Sequence, residues 1–151
     1  MAIRPFIIGL DWDDTCTKGE WGGDQALNLS VIWKAIRFQE AGALVVLWTC
    51  REGEGLQKAI DLAKGEGLIF DAHNENVPLV DIWNRLHGVE FAGRKIFCDL
   101  YVDDKSPGSI DYFLERSIVG EYEDGFIEEG KTYQELADIN DLLENTTSKE
   151  D

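Results

Sequence analysis

Three carboxylates and a hydroxyl crowd into five positions near the start of the chain: Asp11, Asp13, Asp14 and Thr15. They follow directly on an apolar run, Phe6-Ile7-Ile8-Gly9-Leu10. Two more apolar runs end in groups able to do chemistry, residues 43–48 before Thr49 and residues 96–102 before Asp103-Asp104. Carboxylates held this close repel one another, and a divalent cation is the natural compensation. Asp and Thr oxygens with room for water suit Mg²⁺, a hard ion that keeps several waters. A metal, a nucleophile and a second proton-moving group are together the parts of a phosphoryl-transfer site. One Asp-x-Asp alone would fit an acidic turn better than a site; the other two strand ends reverse that and favour the chemical reading.

The elements that must position these groups follow from the apolar pattern. Residues 3–10 read as a strand, and its lack of alternation fits burial on both faces. Residues 16–27 read as a polar, glycine-bearing loop, with Trp21 in a flap over the carboxylates. Asn28 is placed to cap a helix whose buried face is Leu29, Ile32, Trp33 and Ile36, closed by Gly42. Residues 43–48 give a second buried strand. Leu56, Ala59, Ile60 and Ala63 mark a second helix ended by Lys64 and Gly65, and residues 68–72 a short third strand. After the polar loop His73-Asn74-Glu75-Asn76, Pro78 opens a helix with Leu79, Ile82, Trp83 and Leu86 on one face. Residues 96–102 form the fourth strand, and Ser106-Pro107 cap the helix carrying Ile110, Phe113 and Leu114. Alternating strands and helices specify an α/β fold: a three-layer, Rossmann-like parallel sheet with helices on both faces. In such a sheet every strand end named above lies along one edge, where open α/β sheets bind ligands.

Length and charge bound the rest. The 151 residues suit one domain. The division expected is a catalytic domain over residues 1–118 and an acidic extension over residues 119–151. From Val119 onward there are eleven acidic residues and two lysines. Within that extension Thr132 and Glu135 resemble a capping box ahead of an apolar stripe, Leu136, Ile139 and Leu143, and residues 145–151 read as a disordered end. The formal net charge of −16 argues against a surface that grips nucleic acid through many phosphates. A small phosphorylated substrate is compatible, because a bound cation inverts the local field. Cys16, Cys50 and Cys98 are odd in number and lack metal-ligand spacing, so they read as reduced thiols of a cytoplasmic protein. No run approaches the roughly 18 apolar residues of a membrane span, and the N-terminus is not patterned as a signal peptide.

At this point the residues resemble a family. Ile7-Ile8-Gly9-Leu10-Asp11-Trp12-Asp13-Asp14-Thr15, Val45-Val46-Leu47-Trp48-Thr49 and Leu100-Tyr101-Val102-Asp103-Asp104 are similar, in order and spacing, to the first, second and fourth motifs of the haloacid dehalogenase superfamily of Mg²⁺-dependent phosphatases. The resemblance covers about residues 5–116. It implies that Asp11 is the nucleophile that forms an aspartyl-phosphate. Asp13 would be the acid that protonates the leaving oxygen and then the base that activates water. Thr49 would hydrogen-bond the phosphoryl oxygens. Mg²⁺ would be held by Asp11, by the Asp13 main-chain carbonyl, and by one or both of Asp103 and Asp104. Asp14 stands where that family more commonly has glycine. The third motif, a lysine facing the nucleophile, has Lys95 as its best candidate and Lys105 as the fallback. A straight strand over residues 95–103 would leave Lys95 about 26 Å from the strand end, at about 3.3 Å per residue. Lys95 therefore reaches the site only if the chain bends near Cys98 or Asp99. The stretch from Cys98 to Asp104 also resembles that of 5'(3')-deoxyribonucleotidases, which carry a lysine upstream.

Several residues keep two readings. Trp12 and Trp48 flank the pocket and suit either ring stacking or core packing. Arg51 suits a phosphate or an ion pair with Glu52 or Glu54. His73 and Asn74 suit substrate contact or plain loop structure, and His87 a surface helix end. The short first gap and the ordinary strand-helix units of the second leave no room for a large cap domain. The open site is then closed by the Trp21 loop or by a second copy in a homo-oligomer, or it serves an extended substrate. Two other classes share part of the pattern: a catalytically silent relative that binds Mg²⁺ or phosphate and acts through a partner, and a response-regulator receiver domain. The receiver fold needs its phosphoacceptor Asp at the end of a middle strand, where this chain has Thr49.

Overall fold

The structure is a computed structural model and describes residues 3–19, 25–86, 88 and 95–123. Trp21, Gly22, Gly23, His87 and the tail positions from Asp124 onward, including the Thr132–Glu135 pair and its apolar stripe, lie outside the described residues.

The expected first strand is two. β1 (Ile3–Pro5) and β2 (Ile7–Leu10) are separated at Phe6. β1 leaves the main sheet to pair antiparallel with β8 (Glu121–Glu123), with Ile3 opposite Glu123 and Pro5 opposite Glu121. The loop expected over residues 16–27 contains a small antiparallel pair, β3 (Thr17–Lys18) with β4 (Ala26–Leu27). α1 (Leu29–Glu40) follows and then β5 (Leu44–Leu47). α2 (Gly53–Glu66), β6 (Ala72–His73), α3 (Pro78–Leu86), β7 (Leu100–Val102) and α4 (Ser109–Glu115) complete the chain order.

The main sheet has the order β6-β5-β2-β7, and its three pairings are all parallel. The chain winds from β2 outward to β5 and β6, then returns past β2 to β7. Successive residues of β2 face opposite layers. Ile8 and Leu10 pack with Val45 and Leu47 against Val31, Ile32, Ala35 and Phe38 of α1, Ala59 and Ala63 of α2, and Phe113 of α4. Ile7 and Val46 pack on the other side against Leu79, Val80 and Ile82 of α3, together with Ile96 and Cys98. The protein is therefore a three-layer α/β, Rossmann-like fold, and no inserted cap domain is present among the described residues. No helix among them is long and apolar enough to cross a membrane.

Some boundaries differ from the sequence reading, for local reasons. Asn28 does not cap α1 with its side chain; its Nδ2 donates instead to the Thr15 carbonyl at 3.2 Å. Gly67, at φ 102°, ends α2 rather than Gly65, because its left-handed backbone is what closes the last turn. Pro107 precedes α4, which starts after Gly108. No side chain among the described residues caps α4; the Ser109 hydroxyl instead donates to the Asp103 carbonyl at 2.7 Å and receives the Asp103 N–H at 3.0 Å.

The largest departure is the fourth strand. Only residues 100–102 are extended in the sheet, and the chain bends at Asp99. Arg4 and Asp99 hold this bend. Arg4 is 1% exposed, and its guanidinium grips both Asp99 carboxylate oxygens at 2.5 and 2.7 Å. Asp99 also accepts the Ile7 N–H at 2.8 Å. Asp99 still gives its own N–H to the Ile7 carbonyl at 2.8 Å, but its carboxylate takes the Ile7 N–H that a strand carbonyl would otherwise accept, so the ladder stops there. The Tyr101 hydroxyl, which donates to the Ile96 carbonyl and accepts the Cys98 N–H, ties down the other side of the bend.

Candidate active site at the β2–β7 edge

The register sets the level of the site. Leu10 lies opposite Leu47 in β5 and Val102 in β7, while Leu47 lies opposite His73 in β6. The next residue of each strand therefore stands on one line: Asp11, Trp48, Asp103 and Asn74. Backbone hydrogen bonds carry the register one step past the strands, from Asp11 N–H to the Val102 carbonyl and from Trp48 N–H to the Leu10 carbonyl, both 2.9 Å. The sheet order reverses between β2 and β7, so Asp11 and Asp103 flank the topological switch point, where such folds bind ligands.

Oxygens of Asp11, Asp103 and Asp104 all lie within 4.8 Å of one another, each half-buried. One hydroxyl organises two of them. Thr15, fully buried, donates to Asp11 Oδ2 at 2.9 Å and accepts the Asp104 N–H at 2.9 Å. Burial pushes the Asp11 carboxyl up to about 7; the Thr15 hydrogen bond opposes the rise, and the charges of Asp103 and Asp104 add to it. Three converging carboxylates of this kind fit a hard divalent cation in number, donor type and spacing. Lys105 is 86% exposed and reaches Asp104 at 3.7 Å, away from the pocket.

A cavity of about 870 Å³ opens over this edge, with Asp11, Thr49, Arg51, Lys95 and Asp103 on its walls. Lys95 arrives there because of the bend at Asp99, and its Nζ lies 5.7 Å from the Tyr101 ring centre. Thr49 is oriented from both sides: its N–H donates to Asn74 Oδ1 at 2.8 Å, and its Oγ1 accepts the Arg51 N–H at 3.1 Å. Asn74 holds this position from a left-handed backbone, φ 53°. Trp48 is half-buried and lines the cavity, whereas Trp12 is fully buried and meets Phe70 edge to face, so it belongs to the core. His73 is exposed and also packs edge to face on Phe70. Glu75, Asn76 and Asp81 also line the cavity.

Asp13 is placed differently from the other acids. Its carboxylate is gripped by Arg51, with Nε to Oδ2 at 2.9 Å and Nη2 to Oδ1 at 2.7 Å. Arg51 pairs with Asp13 and not with Glu52 or Glu54 because the parallel register of β2 and β5 brings the two post-strand loops side by side. Asp14 is exposed and has φ 63°, the left-handed region that favours glycine. Thr15 belongs to the first motif, but its bond to Asp104 does not follow from the motif, nor do the Asn74–Thr49 bond and the Arg51–Asp13 pair. Their signal lies in the register, which becomes readable only once the strand order is known.

All three cysteines are free, with Cys16 and Cys98 buried and Cys50 exposed. Burial raises the Cys16 thiol well above its ordinary range and pushes Cys98 up to about 12, so neither is a ready nucleophile.

No protein-family model matches the chain, and no curated protein does. Among solved structures, the chain is similar to a conserved protein coded by a locus from Bacteroides thetaiotaomicron. The match has a TM-score of 0.55 and 27% sequence identity, and covers 72% of this chain and 81% of that one.

Proposed function

We propose that this protein is a Mg²⁺-dependent phosphatase, resembling the haloacid dehalogenase type, that hydrolyses a small phosphomonoester through an aspartyl-phosphate on Asp11. The observation that carries the reading is the convergence of Asp11, Asp103 and Asp104 within 4.8 Å at the switch point, beneath a cavity that also holds Thr49 and Lys95. Asp11, Asp103 and Asp104, with the Asp13 main-chain carbonyl, are the groups to hold Mg²⁺. When bound, the ion would neutralise the phosphoryl oxygens and offset the mutual repulsion of the acids.

In the first half-reaction an Asp11 oxygen attacks phosphorus, and the bond from phosphorus to the leaving oxygen breaks. The electron pair stays on that oxygen, which takes a proton from the Asp13 carboxyl. In the second, water gives its proton to the Asp13 carboxylate and its oxygen to phosphorus, and the bond from phosphorus to Asp11 breaks with its electron pair returning to the carboxylate. Thr49 and Lys95 orient the phosphoryl group and offset its charge. Glu75 and Asp81 in the cavity lining disfavour a second anionic group on the substrate, which favours a neutral or cationic leaving group. A nucleoside monophosphate fits that description on its leaving-group side, with Trp48 available for ring stacking. Free thiols at Cys16, Cys50 and Cys98 suit a reducing, cytoplasmic setting.

The test is hydrolysis of p-nitrophenyl phosphate with Mg²⁺, expected to vanish in Asp11→Asn and with EDTA. The grip of Arg51 on Asp13 favours a second reading, a silent Mg²⁺- and phosphate-binding protein that acts through a partner. Mg²⁺ binding without turnover of any ester in a broad phosphoester panel would select that reading.

A further inference from the structure

We propose that Arg51 is the positioning residue for Asp13, and that it thereby decides whether the site cleaves esters whose leaving oxygen needs a proton. The inference rests on the phosphatase reading above and extends it to a residue outside the motifs that carry the resemblance.

The geometry is specific. A guanidinium fork contacts both Asp13 oxygens, with Nε reaching Oδ2 at 2.9 Å and Oδ1 at 3.2 Å, and Nη2 reaching Oδ1 at 2.7 Å. Planar bidentate contact of this kind fixes the carboxylate's direction as well as its distance. The fork is itself held. Its Nη1 donates to the Gly55 carbonyl at 3.2 Å in the first turn of α2, and its Nη2 to Gln25 Oε1 at 2.9 Å. Arg51 also donates its main-chain N–H to Thr49 Oγ1. One residue thus ties together the phosphoryl-orienting hydroxyl, the proton-moving carboxylate and the start of a helix. The side chains of Arg51 and Asp13 are only 16% and 15% exposed, so the pair is less screened than an ordinary surface pair and its fixed direction persists. Arg51 lies on the wall of the cavity that holds Asp11 and Thr49, and the carboxylate it directs stands two positions after Asp11 in the chain.

Leaving groups separate this role from its rivals. A p-nitrophenolate departs without a proton, whereas the alkoxide of an alkyl phosphate does not, so in the first half-reaction, which kcat/KM reports, only the second depends on where Asp13 points; hydrolysis of the aspartyl-phosphate is common to both. The experiment measures kcat and KM with Mg²⁺ for p-nitrophenyl phosphate and for β-glycerol phosphate in wild type, Arg51→Met and Arg51→Lys. It also measures competitive inhibition by inorganic phosphate. In Arg51→Met, kcat/KM for the alkyl ester is expected to fall by about tenfold to a hundredfold, while kcat/KM for p-nitrophenyl phosphate falls by less than about threefold. Arg51→Lys, which keeps the charge but not the fork, lies between. The phosphate inhibition constant is expected to stay within about twofold of wild type. The ratio of the two kcat/KM values on one preparation is independent of the fraction folded, so a poorly folding variant still reports. Equal losses on both esters, with weaker phosphate inhibition, would make Arg51 a phosphate ligand and overturn the proposal. An unchanged ratio would also overturn it by leaving Arg51 a structural residue. A wild type inactive on both esters would instead remove the phosphatase reading on which the proposal stands.

Discussion

The main-chain N–H of Asp104 donates to the hydroxyl of Thr15 at 2.9 Å, across 89 positions of sequence. Because the same hydroxyl donates to Asp11, one oxygen holds the ends of β2 and β7 at the spacing a cation needs. Thr15→Val keeps the shape and removes both bonds, leaving a partly buried N–H without its acceptor. A loss of about 1 to 3 kcal/mol in stability is expected by denaturant titration. Mg²⁺ affinity by calorimetry is expected to fall about tenfold, the scale found when a group that orients a metal ligand is removed.

Asp14 occupies a left-handed backbone position, φ 63°, with its side chain exposed and its N–H donating to Thr17 Oγ1 at 3.1 Å. The position constrains backbone and not charge. Asp14→Gly should stay within about 0.5 kcal/mol of wild type, whereas Asp14→Val, with a branched Cβ in the same region, should lose about 2 kcal/mol. Mg²⁺ affinity should be retained in the glycine variant; a large loss would show that the carboxylate itself serves the metal.

Asp11 gives the metal-free protein a pH signature. Burial raises its folded pKa from an ordinary 3.8 to about 7, so between those values the folded chain binds more protons at this group than the unfolded chain. Its contribution to stability is complete below pH 3.8 and is lost as pH rises through about 7. In thermal melts with EDTA, the difference in melting temperature between Asp11→Asn and wild type should therefore grow in the variant's favour from pH 5 to pH 8. Saturating Mg²⁺ should remove the wild-type decline, because a bound cation favours the ionised carboxylate.

Gly9 is set by packing. A Cβ added there would lie 2.7 Å from Cys98 Sγ and 3.3 Å from Tyr101 Cδ1. Gly9→Ala is expected to cost about 1 to 3 kcal/mol and to displace the bend that delivers Lys95. Adding Cys98→Ala removes the clashing sulfur, so the two changes should be non-additive, the double variant regaining stability relative to Gly9→Ala. A denaturant-based double-mutant cycle measures this directly.

The strand ends were legible because strands buried on both faces read as unbroken apolar runs, and a run must stop where polar chemistry begins. That logic located Asp11, Thr49 and Asp103 without structural help. It overran the first strand, because Phe6 is as apolar as its neighbours while the chain changes partner there, from β8 to β5 and β7. It overran the fourth strand for a related reason: Ile96 and Cys98 are core residues of the opposite layer without being strand. Asp99 was the visible exception within that run, and its burial depends on Arg4. The Arg51–Asp13 pair was out of reach, because which post-strand loops become neighbours is a property of strand order. Local pattern offered only a phosphate or the sequence neighbours Glu52 and Glu54 as partners for Arg51.

Arg4 and Asp99 are separated by 95 positions, and that separation orders events during synthesis. A growing chain emerges with Arg4 already made and its counter-charge still untranslated. β2, the interior strand of the sheet, lacks its β7 neighbour for the same interval. Long-range pairings of this kind are the slow part of forming a parallel sheet. Asp103 and Asp104 emerge only after Asp99, so a nascent chain displays Asp11 and Asp13 without the partners that would turn them toward a cation. On the proposed Mg²⁺ reading, a ribosome-bound fragment that stops short of residue 103 would carry only one of the three converging carboxylates, and the site would be assembled late in translation.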